Sequence, residues 1–342
     1  VSIYLKNEFN TDPVINKIKV LYTIHNFEFQ GEYPLTSFEK TGLPQQLFDN
    51  GDLIHNGKLN FMKGGIKFAD SVNTVSSGYR NELLVNDTLS RGLKDLLIEK
   101  SDNFFGVLNG VDNKIWNPGN DKFIPKNYNY SELNIKYDNK KILVERFNLV
   151  YNPETPVIGV ISRLYDYKGI DLIEQILPEL MKKDVQFLLL GTGDRKYHKI
   201  FDSFSKTYKD KFACYLGFND ELAHLIEAGA DIYLMPSKIE PCGLNQMYSM
   251  IYGTVPVVRK TGGLADTVVD FDVKTGKGTG FVFEEYSKEA LSGALSRALE
   301  LYKNKKAWDT MIKTGMKIDF SWQVSAKKYI ELYRNVLQSD SK

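Results

Sequence analysis

The sequence predicts an α/β protein in two domains, the second of them complete and doubly wound. Three observations predict it. Between 156 and 300, short apolar runs alternate with longer segments of helical periodicity, the pattern of parallel strands covered by helices on both faces. The first part offers only three or four strand candidates, too few for a stand-alone sheet, and so implies a second α/β domain whose earlier strands are absent. The length of 342 residues, 42% hydrophobic and 25% charged, is long for one domain and comfortable for two.

Taken in order, the chain opens on VSIYLKNEF, which lacks an initiating Met and reads as the middle of a helix. The expectation is a start inside a larger protein. Strands are expected at VLYTI (20–24), SVNTV (71–75) and FFGVLN (104–109), with helical patterns at 57–68 and 77–86. The stretch 126–152, rich in Asn, Lys and Tyr, reads as an exposed connection carrying one helix at 139–148. Six strands follow at PVIGVIS (156–162), VQFLLLG (185–191), FACYLG (212–217), DIYLMPS (231–237), VPVVR (255–259) and GFVF (280–283). In 170–183, Ile170, Leu172, Ile173, Ile176, Leu177, Leu180 and Met181 share one broad helical face, with Pro178 as a point of kinking. Asn219 and Ser287 are placed to cap the helices that follow them. SWQVSAKKYIELYRNVLQ (321–338) is one amphipathic helix that offers Val324, Tyr329, Ile330, Leu332 and Tyr333 for packing. The expected division is a partial first domain with its connection over 1–150, a second domain over 151–322, and a terminal helix over 323–342 that packs back towards the first domain.

Composition narrows the function classes. The chain holds 44 Lys and Arg against 43 Asp and Glu, a net charge of +1, so it lacks the basic footprint of a nucleic-acid binder. No apolar run approaches the roughly 18 residues that span a bilayer, and no signal peptide opens the chain. Cys214 and Cys242 stand far apart with no CxxC pair, which argues against a disulfide scaffold or a zinc site and for two reduced thiols in a cytoplasmic protein.

The polar motifs gather at strand ends, where ligands of open α/β sheets bind. SRLYDYKG (162–169) puts Arg163 and Lys168 after an apolar strand. A planar fork and a compact charge suit a diphosphate; equally, the two are a solvated surface pair. TGGLADT (261–267) puts Thr261, Gly262 and Gly263 before a helix, either for close approach of backbone N–H groups to a phosphate or as a plain turn. GTGD (191–194) reads as a tight turn near the ligand. It is no dinucleotide fingerprint, because the third glycine and the downstream acid are missing, which removes a nicotinamide oxidoreductase. EPCGLNQ (240–246) places Glu240 at a strand end, able to accept hydrogen bonds from sugar hydroxyls, with Cys242, Gly243 and Leu244 leading into the next helix; a capping Glu beside a buried Cys is the other reading. In the first domain, His25 and Asn109 each follow a strand. A lone His is as readily structural, and Asn-Gly is a common turn. The chemistries that converge, for phosphate and for hydroxyl groups, suit a nucleotide-sugar held between two α/β domains.

In order, TIHNFEFQG (23–31), NFMKGGIKFADSVNTVS (60–76), GVLNGVDNKIWNP (106–118), SRLYDYKG, LLLGTGD (188–194), HLIEAGADIYLMPSKIEPCGLNQ (224–246), YGTVPVVRKTGGLADTV (252–268) and FSW (320–322) resemble bacterial glycogen synthases and plant starch synthases. The resemblance covers nearly the whole chain except 126–152. It implies two Rossmann-like domains facing a cleft, the GT-B arrangement, with the first domain incomplete. It implies transfer of glucose from ADP-glucose to the non-reducing 4-hydroxyl of an α-1,4-glucan, with retention and with no metal or other cofactor. The implied partners are a sugar nucleotide and the glucan, with no nucleic acid and no membrane. By the same resemblance Arg163 and Lys168 hold the diphosphate, assisted by backbone groups at Gly262 and Gly263. Glu240, Cys242, Gly243 and Leu244 line the glucose site, His25 and Asn109 face the sugar from the first domain, and Phe218 stacks on adenine.

The sequence also departs from the family. No lysine-and-glycine loop precedes residue 23, the HDW segment expected ahead of residue 1 has no counterpart, Asn245 replaces a common Thr, and Lys238-Ile239 replaces Arg-Phe. Two other readings stand beside the transferase: a non-catalytic fragment that binds sugar nucleotide or glucan, and a related transferase that makes another product.

Overall fold

The computed structural model describes residues 1–338. The chain divides into two compact units: unit 1 takes Val1–Asn109 and the residues from Gln323 onward, and unit 2 takes Gly110–Trp322.

Unit 1 is built on a parallel sheet of three strands and a small antiparallel one. Its strands in chain order are β1 (Leu21–Ile24), β2 (Glu32–Tyr33), β3 (Ile54–His55), β4 (Lys58–Asn60), β5 (Ser71–Thr74) and β6 (Phe104–Gly106). The parallel sheet runs β1-β5-β6 and the antiparallel one β2-β4-β3, so the three expected strands are present. The helical pattern over 57–68 is corrected: its first residues are β4, paired to β3 across an Asn56-Gly57 turn with φ of 49° and 71°, and the helix is Phe61–Phe68. Asn-Gly is the strongest short hairpin signal, and here it stands at the start of the residues read as helical. The opening residues do form a helix, Ser2–Asn7, whose Ile3 packs into an apolar cluster with Phe38, Leu43, Leu47, Leu53 and Leu59.

The terminal helix spans Trp322–Gln338. Its buried stripe is Ser325, Leu332 and Val336, with Tyr329 beside them. Leu332 and Val336 cluster with Val107, against Leu21 and Phe105 of unit 1's sheet, and the Tyr329 hydroxyl accepts from Asn73 Nδ2 at 3.2 Å. Ile330 and Tyr333, expected to pack, are about half exposed. The helical spacing of 3.6 residues carries them past the contact stripe at 325, 329, 332 and 336.

Unit 2 holds the complete doubly wound sheet. Its strands are β7 (Val157–Leu164), β8 (Gln186–Gly193), β9 (Phe212–Leu216), β10 (Ile232–Met235), β11 (Val255–Arg259) and β12 (Phe281–Phe283). All neighbours are parallel, in the order β12-β11-β10-β7-β8-β9. The chain lays down β7, β8 and β9 to one side, then returns to place β10, β11 and β12 on the other. The switch point therefore lies between β7 and β10. The helix Ile170–Leu180 buries Ile170, Leu172, Ile173, Ile176, Leu177 and Leu180 as its periodicity requires, and Pro178 sits inside it. Asn219 and Ser287 both cap, accepting from the backbone N–H of Leu222 and Ala290.

The segment expected as an exposed connection is part of unit 2. Its helix is Leu133–Arg146 and begins six residues earlier than predicted. It packs against the helix Asp220–Gly229. The misreading came from polar residues that are buried. The Lys136 ammonium donates to Ala228 O at 2.9 Å and to Thr254 Oγ1 at 2.8 Å. The Lys140 ammonium pairs with Asp231 at 2.8 Å, with both side chains almost wholly enclosed. Tyr128, also buried, donates to Tyr252 O at 2.7 Å.

Trp116 pins the beginning of unit 2, stacked between His224 (centroids 3.8 Å apart) and Tyr248 (3.9 Å). Next to it the buried Asp121 carboxylate meets His224 Nδ1 at 2.7 Å and accepts from Tyr252 Oη at 2.6 Å and from Phe123 N at 2.8 Å. Desolvation, the largest single influence, pushes the Asp121 carboxyl up; the hydrogen bonds from His224, Tyr252 and Phe123 together outweigh it and hold the carboxyl below its ordinary value. A depressed carboxylate stabilises the fold above its unfolded-state pKa, and that stabilisation is lost as pH falls through the folded value. Asp121→Asn is thus expected to cost about 1–3 kcal/mol near neutrality. Its Tm deficit relative to the parent should shrink towards zero as melts are repeated below about pH 4. A deficit that stays constant down to pH 3 would refute the assignment.

Candidate active site

At the switch point, on the carboxyl side of the sheet, lies a cavity of about 270 Å³. This is where open α/β sheets bind ligands. The ends of four strands supply its walls: Ser162 and Arg163 of β7, Gly191 and Thr192 of β8, Gly217 and Phe218 beyond β9, and Met235, Pro236 and Ser237 at the end of β10. Lys168 enters from the turn after β7, and Asn245 and Tyr233 complete the polar lining.

The two loops that flank the switch point are laced together. Lys238 N donates to Tyr167 O at 2.9 Å. Gly169, at φ +74°, lies so near the other loop that a Cβ there would come within 2.1 Å of Pro236 O. Only glycine meets both conditions, and its position fixes the short turn that aims Lys168. Lys168 Nζ reaches Glu240 Oε2 at 2.6 Å, and Ser237 Oγ donates to the same carboxylate oxygen at 3.0 Å. Arg163 differs. Its guanidinium is exposed and lies 5.7 Å from the Tyr167 ring centroid, and among the described residues no carboxylate pairs with it. The rim thus carries one cation without an anionic partner and another whose partner is buried behind it.

Of the residues singled out in the sequence, Arg163, Lys168 and Phe218 line the cavity, and Phe218 is 81% exposed. Glu240 stands one step back, through Lys168. Cys242, Gly243, Leu244, Thr261, Gly262 and Gly263 do not border the cavity; they form the joint between two loops. Gly263 N donates to Glu240 O at 3.1 Å, so that N–H is committed within the protein and not held open for a phosphate. A Cβ on Gly263 would fall 1.9 Å from Cys242 O. This glycine is there for close approach of backbones. GTGD is corrected as well: Gly191, Thr192 and Gly193 continue β8, in register with Ser162, Arg163 and Leu164. They are strand, not turn. His25, exposed just past β1, and Asn109 belong to unit 1, whereas the residues that line the cavity all belong to unit 2.

Sequence reasoning passed over Ser162, Thr192, Tyr233 and Ser237 and met Asn245 only as a departure from the family. Ser162, Thr192 and Ser237 carry hydroxyls at strand ends, a signal that was available. Tyr233 was not legible, because it reads as one more apolar strand residue and its hydroxyl turns to Ile161 O at 2.8 Å. Among the described residues no group of three or more His, Cys, Asp or Glu is placed to hold a metal ion, and no helix is long and apolar enough to cross a membrane. Both thiols are unlinked; burial pushes Cys214 up to about 11, out of reach of easy thiolate chemistry.

Residues 1–99 match the starch synthase catalytic domain family, and residues 142–317 match glycosyl transferases group 1. The chain is 44% identical over 338 residues to a glycogen synthase of Thermosipho africanus, covering 98% of this chain and 70% of that protein. It is 45% identical over 337 residues to a glycogen synthase of Geotalea daltonii, covering 98% and 69%. Among solved structures, the catalytic domain of starch synthase IV from Arabidopsis thaliana, bound to ADP and acarbose, superposes with a TM-score of 0.91 at 32% identity, covering 99% of this chain and 71% of that one.

Proposed function

We propose, for a chain that belongs to the glycogen synthase and starch synthase family of glycosyltransferases with its GT-B fold, that it transfers glucose from ADP-glucose to the non-reducing end of an α-1,4-glucan with retention of configuration. The observation that carries this reading is the cavity at the unit 2 switch point, with Arg163 and Lys168 on its rim and a bare aromatic ring at Phe218.

In this reading the donor's diphosphate lies against Arg163 and Lys168, and adenine lies on Phe218. As the C1–O bond to phosphate breaks, negative charge grows on the departing oxygen, and cations fixed in advance stabilise it more than they stabilise the ground state. The acceptor's 4-hydroxyl attacks C1 from the face the diphosphate leaves. The C1–O4 bond forms, and the hydroxyl proton passes to the departing phosphate oxygen. Glu240 serves as a positioning group: it holds Lys168 at 2.6 Å and is not free to attack. Cys242, Gly243 and Leu244 are assigned to the glucose, while the Thr261–Gly263 turn, whose Gly263 N–H is committed to Glu240 O, supports the Glu240 loop behind Lys168. The reaction as written calls on no metal and no other cofactor.

Incubating the chain with ADP-glucose and glycogen tests the proposal. Release of ADP with lengthening of α-1,4 chains is expected, and faster release with another sugar nucleotide would move the assignment to a different product. Binding of ADP-glucose with no ADP release would leave a binding fragment. Phe218→Ala is expected to raise the KM for ADP-glucose about tenfold, the worth of one base stack, with kcat within about twofold, because stacking is equal in ground and transition states. An unchanged KM would remove adenine from Phe218.

A further inference from the structure

Lys168 stands on one of the two loops that flank the switch point and Glu240 on the other, so their contact at 2.6 Å lasts only while the loops keep their spacing. Arg163 is less dependent on them, because it belongs to β7, in register with Thr192 of β8. Lys168 instead ends a single 3-10 turn, Asp166–Lys168, a short element with weak internal bonding. The turn's own bonds run from Lys168 N to Tyr165 O at 3.0 Å and from Gly169 N to Asp166 O at 2.9 Å.

A residue 120 positions beyond Asp166 reaches this turn. Tyr286 lies just past β12 and does not border the cavity. Its hydroxyl shares one proton between Asp166 O, at 3.2 Å, and Asp171 Oδ1 in the first turn of the helix Ile170–Leu180. The Lys238 ammonium and the Arg259 guanidinium each lie 5.7 Å from the centroid of its ring. Arg259 in turn donates from Nη1 to Lys238 O at 2.8 Å and from Nε to Glu284 O at 3.1 Å. These contacts close a circuit. The turn after β7 meets the loop after β10 through Tyr167 O and Lys238 N. That loop meets the segment after β12 through Arg259, and the segment returns to the turn through Tyr286. The Asp166 carboxylate is moored separately, to Lys196 Nζ at 2.7 Å and to the Tyr197 hydroxyl, both on the helix after β8. Those bonds tie the turn to the β7–β9 half of the sheet. Tyr286 ties it to the β10–β12 half, which carries Glu240.

We propose that Tyr286 is a positioning residue for the transfer step: its hydroxyl braces the Lys168 turn against the β10–β12 half of unit 2 and so keeps the ammonium seated beside Glu240 as charge grows on the departing phosphate. A fixed charge acts most strongly at the transition state, and a misplacement of about 1 Å can cost on the order of 10²-fold in rate. Without the hydroxyl, the bond from Lys238 N to Tyr167 O remains, so the turn loosens and is not set free.

The role rests on the function proposed above, and the experiment separates the two. Hydrogen–deuterium exchange needs no donor. In Tyr286→Phe, which keeps the ring and loses only the hydroxyl, amides over 165–169 should exchange about fivefold faster than in the parent. Unchanged exchange there would overturn the brace whatever the chain catalyses. Turnover with ADP-glucose and glycogen comes next. A parent that releases no ADP would sink the proposed function and the role in transfer with it, while the exchange result alone decides the brace. With turnover established, Tyr286→Phe should lower kcat about tenfold and leave the Kd for ADP-glucose within about twofold of the parent. In a Lys168→Ala background the same substitution should change kcat by less than about twofold, because the hydroxyl acts through the ammonium. Equal losses in both backgrounds would mark a merely structural role. A parent-like kcat, or a loss confined to binding, would overturn the proposal as well.

Discussion

Lys168→Ala is expected to reduce turnover at saturating ADP-glucose by about 10²–10³-fold, the effect of removing one fixed charge from a developing anion. Binding of the donor should weaken less than turnover falls, since the Lys168 charge matters most when the C1–O bond is largely broken. The geometry gives the reason for choosing this residue. Gly169 clamps the turn against Pro236 O, and the Glu240 carboxylate holds Nζ at 2.6 Å, so the ammonium is already placed when the donor arrives and little ordering remains to be done. Lys168→Arg should rescue poorly, because a longer planar fork cannot occupy the seat beside Glu240. Arg163→Ala, on the exposed rim, should cost less than Lys168→Ala. Steady-state assays at temperatures well below each variant's Tm check the order. A Lys168→Ala enzyme within a few-fold of the parent would refute the charge's role in the reaction.

The largest effect on stability is expected at Asp231→Ala, about 3–5 kcal/mol. Asp231 Oδ2 meets Lys140 Nζ at 2.8 Å and accepts from Val157 N at 2.8 Å. Truncating it leaves the enclosed Lys140 ammonium with only the Tyr302 hydroxyl at 2.8 Å and Pro153 O at 3.2 Å, and it orphans an N–H at the start of β7. Removing both charges together, as Asp231→Ala with Lys140→Met, should recover part of the loss, because an unpaired buried charge is worse than none. Urea denaturation of parent, single and double variants measures this directly. A double variant less stable than the Asp231 single would contradict it.

These two predictions also mark how far the sequence could be read. The six strands of unit 2 were legible because each is an apolar run closed by a turn signal, and Arg163 and Lys168 could be placed from their positions after such a run, whereas Phe218 came only from the family resemblance. Pairings across long separations were not. Lys168 and Glu240 lie 72 positions apart, and nothing local announces that one seats the other. Lys136, Lys140 and Glu227 were unreadable for a related reason: hydropathy assigns charged residues to the surface, and only the packing of the helices Leu133–Arg146 and Asp220–Gly229 within unit 2 shows them to be enclosed. Gly263 teaches a different lesson. A Gly-Gly before a helix suggests a phosphate cradle, yet its N–H answers a carbonyl of the neighbouring loop. The β3–β4 hairpin was missed although its Asn-Gly turn stands in plain view, since the flanking strands are only two and three residues long.

The way the terminal helix completes unit 1 bears on how the chain folds during synthesis. Residues 1–109 leave the ribosome before Gly110–Trp322, but Leu332 and Val336, which cover Val107, leave after it. The nascent early unit must therefore wait, with that apolar face bare, while all of Gly110–Trp322 emerges and can fold ahead of it. Translation halted near residue 322 would leave a finished later unit tethered to an unfinished early one, and chaperones would be expected to engage the latter.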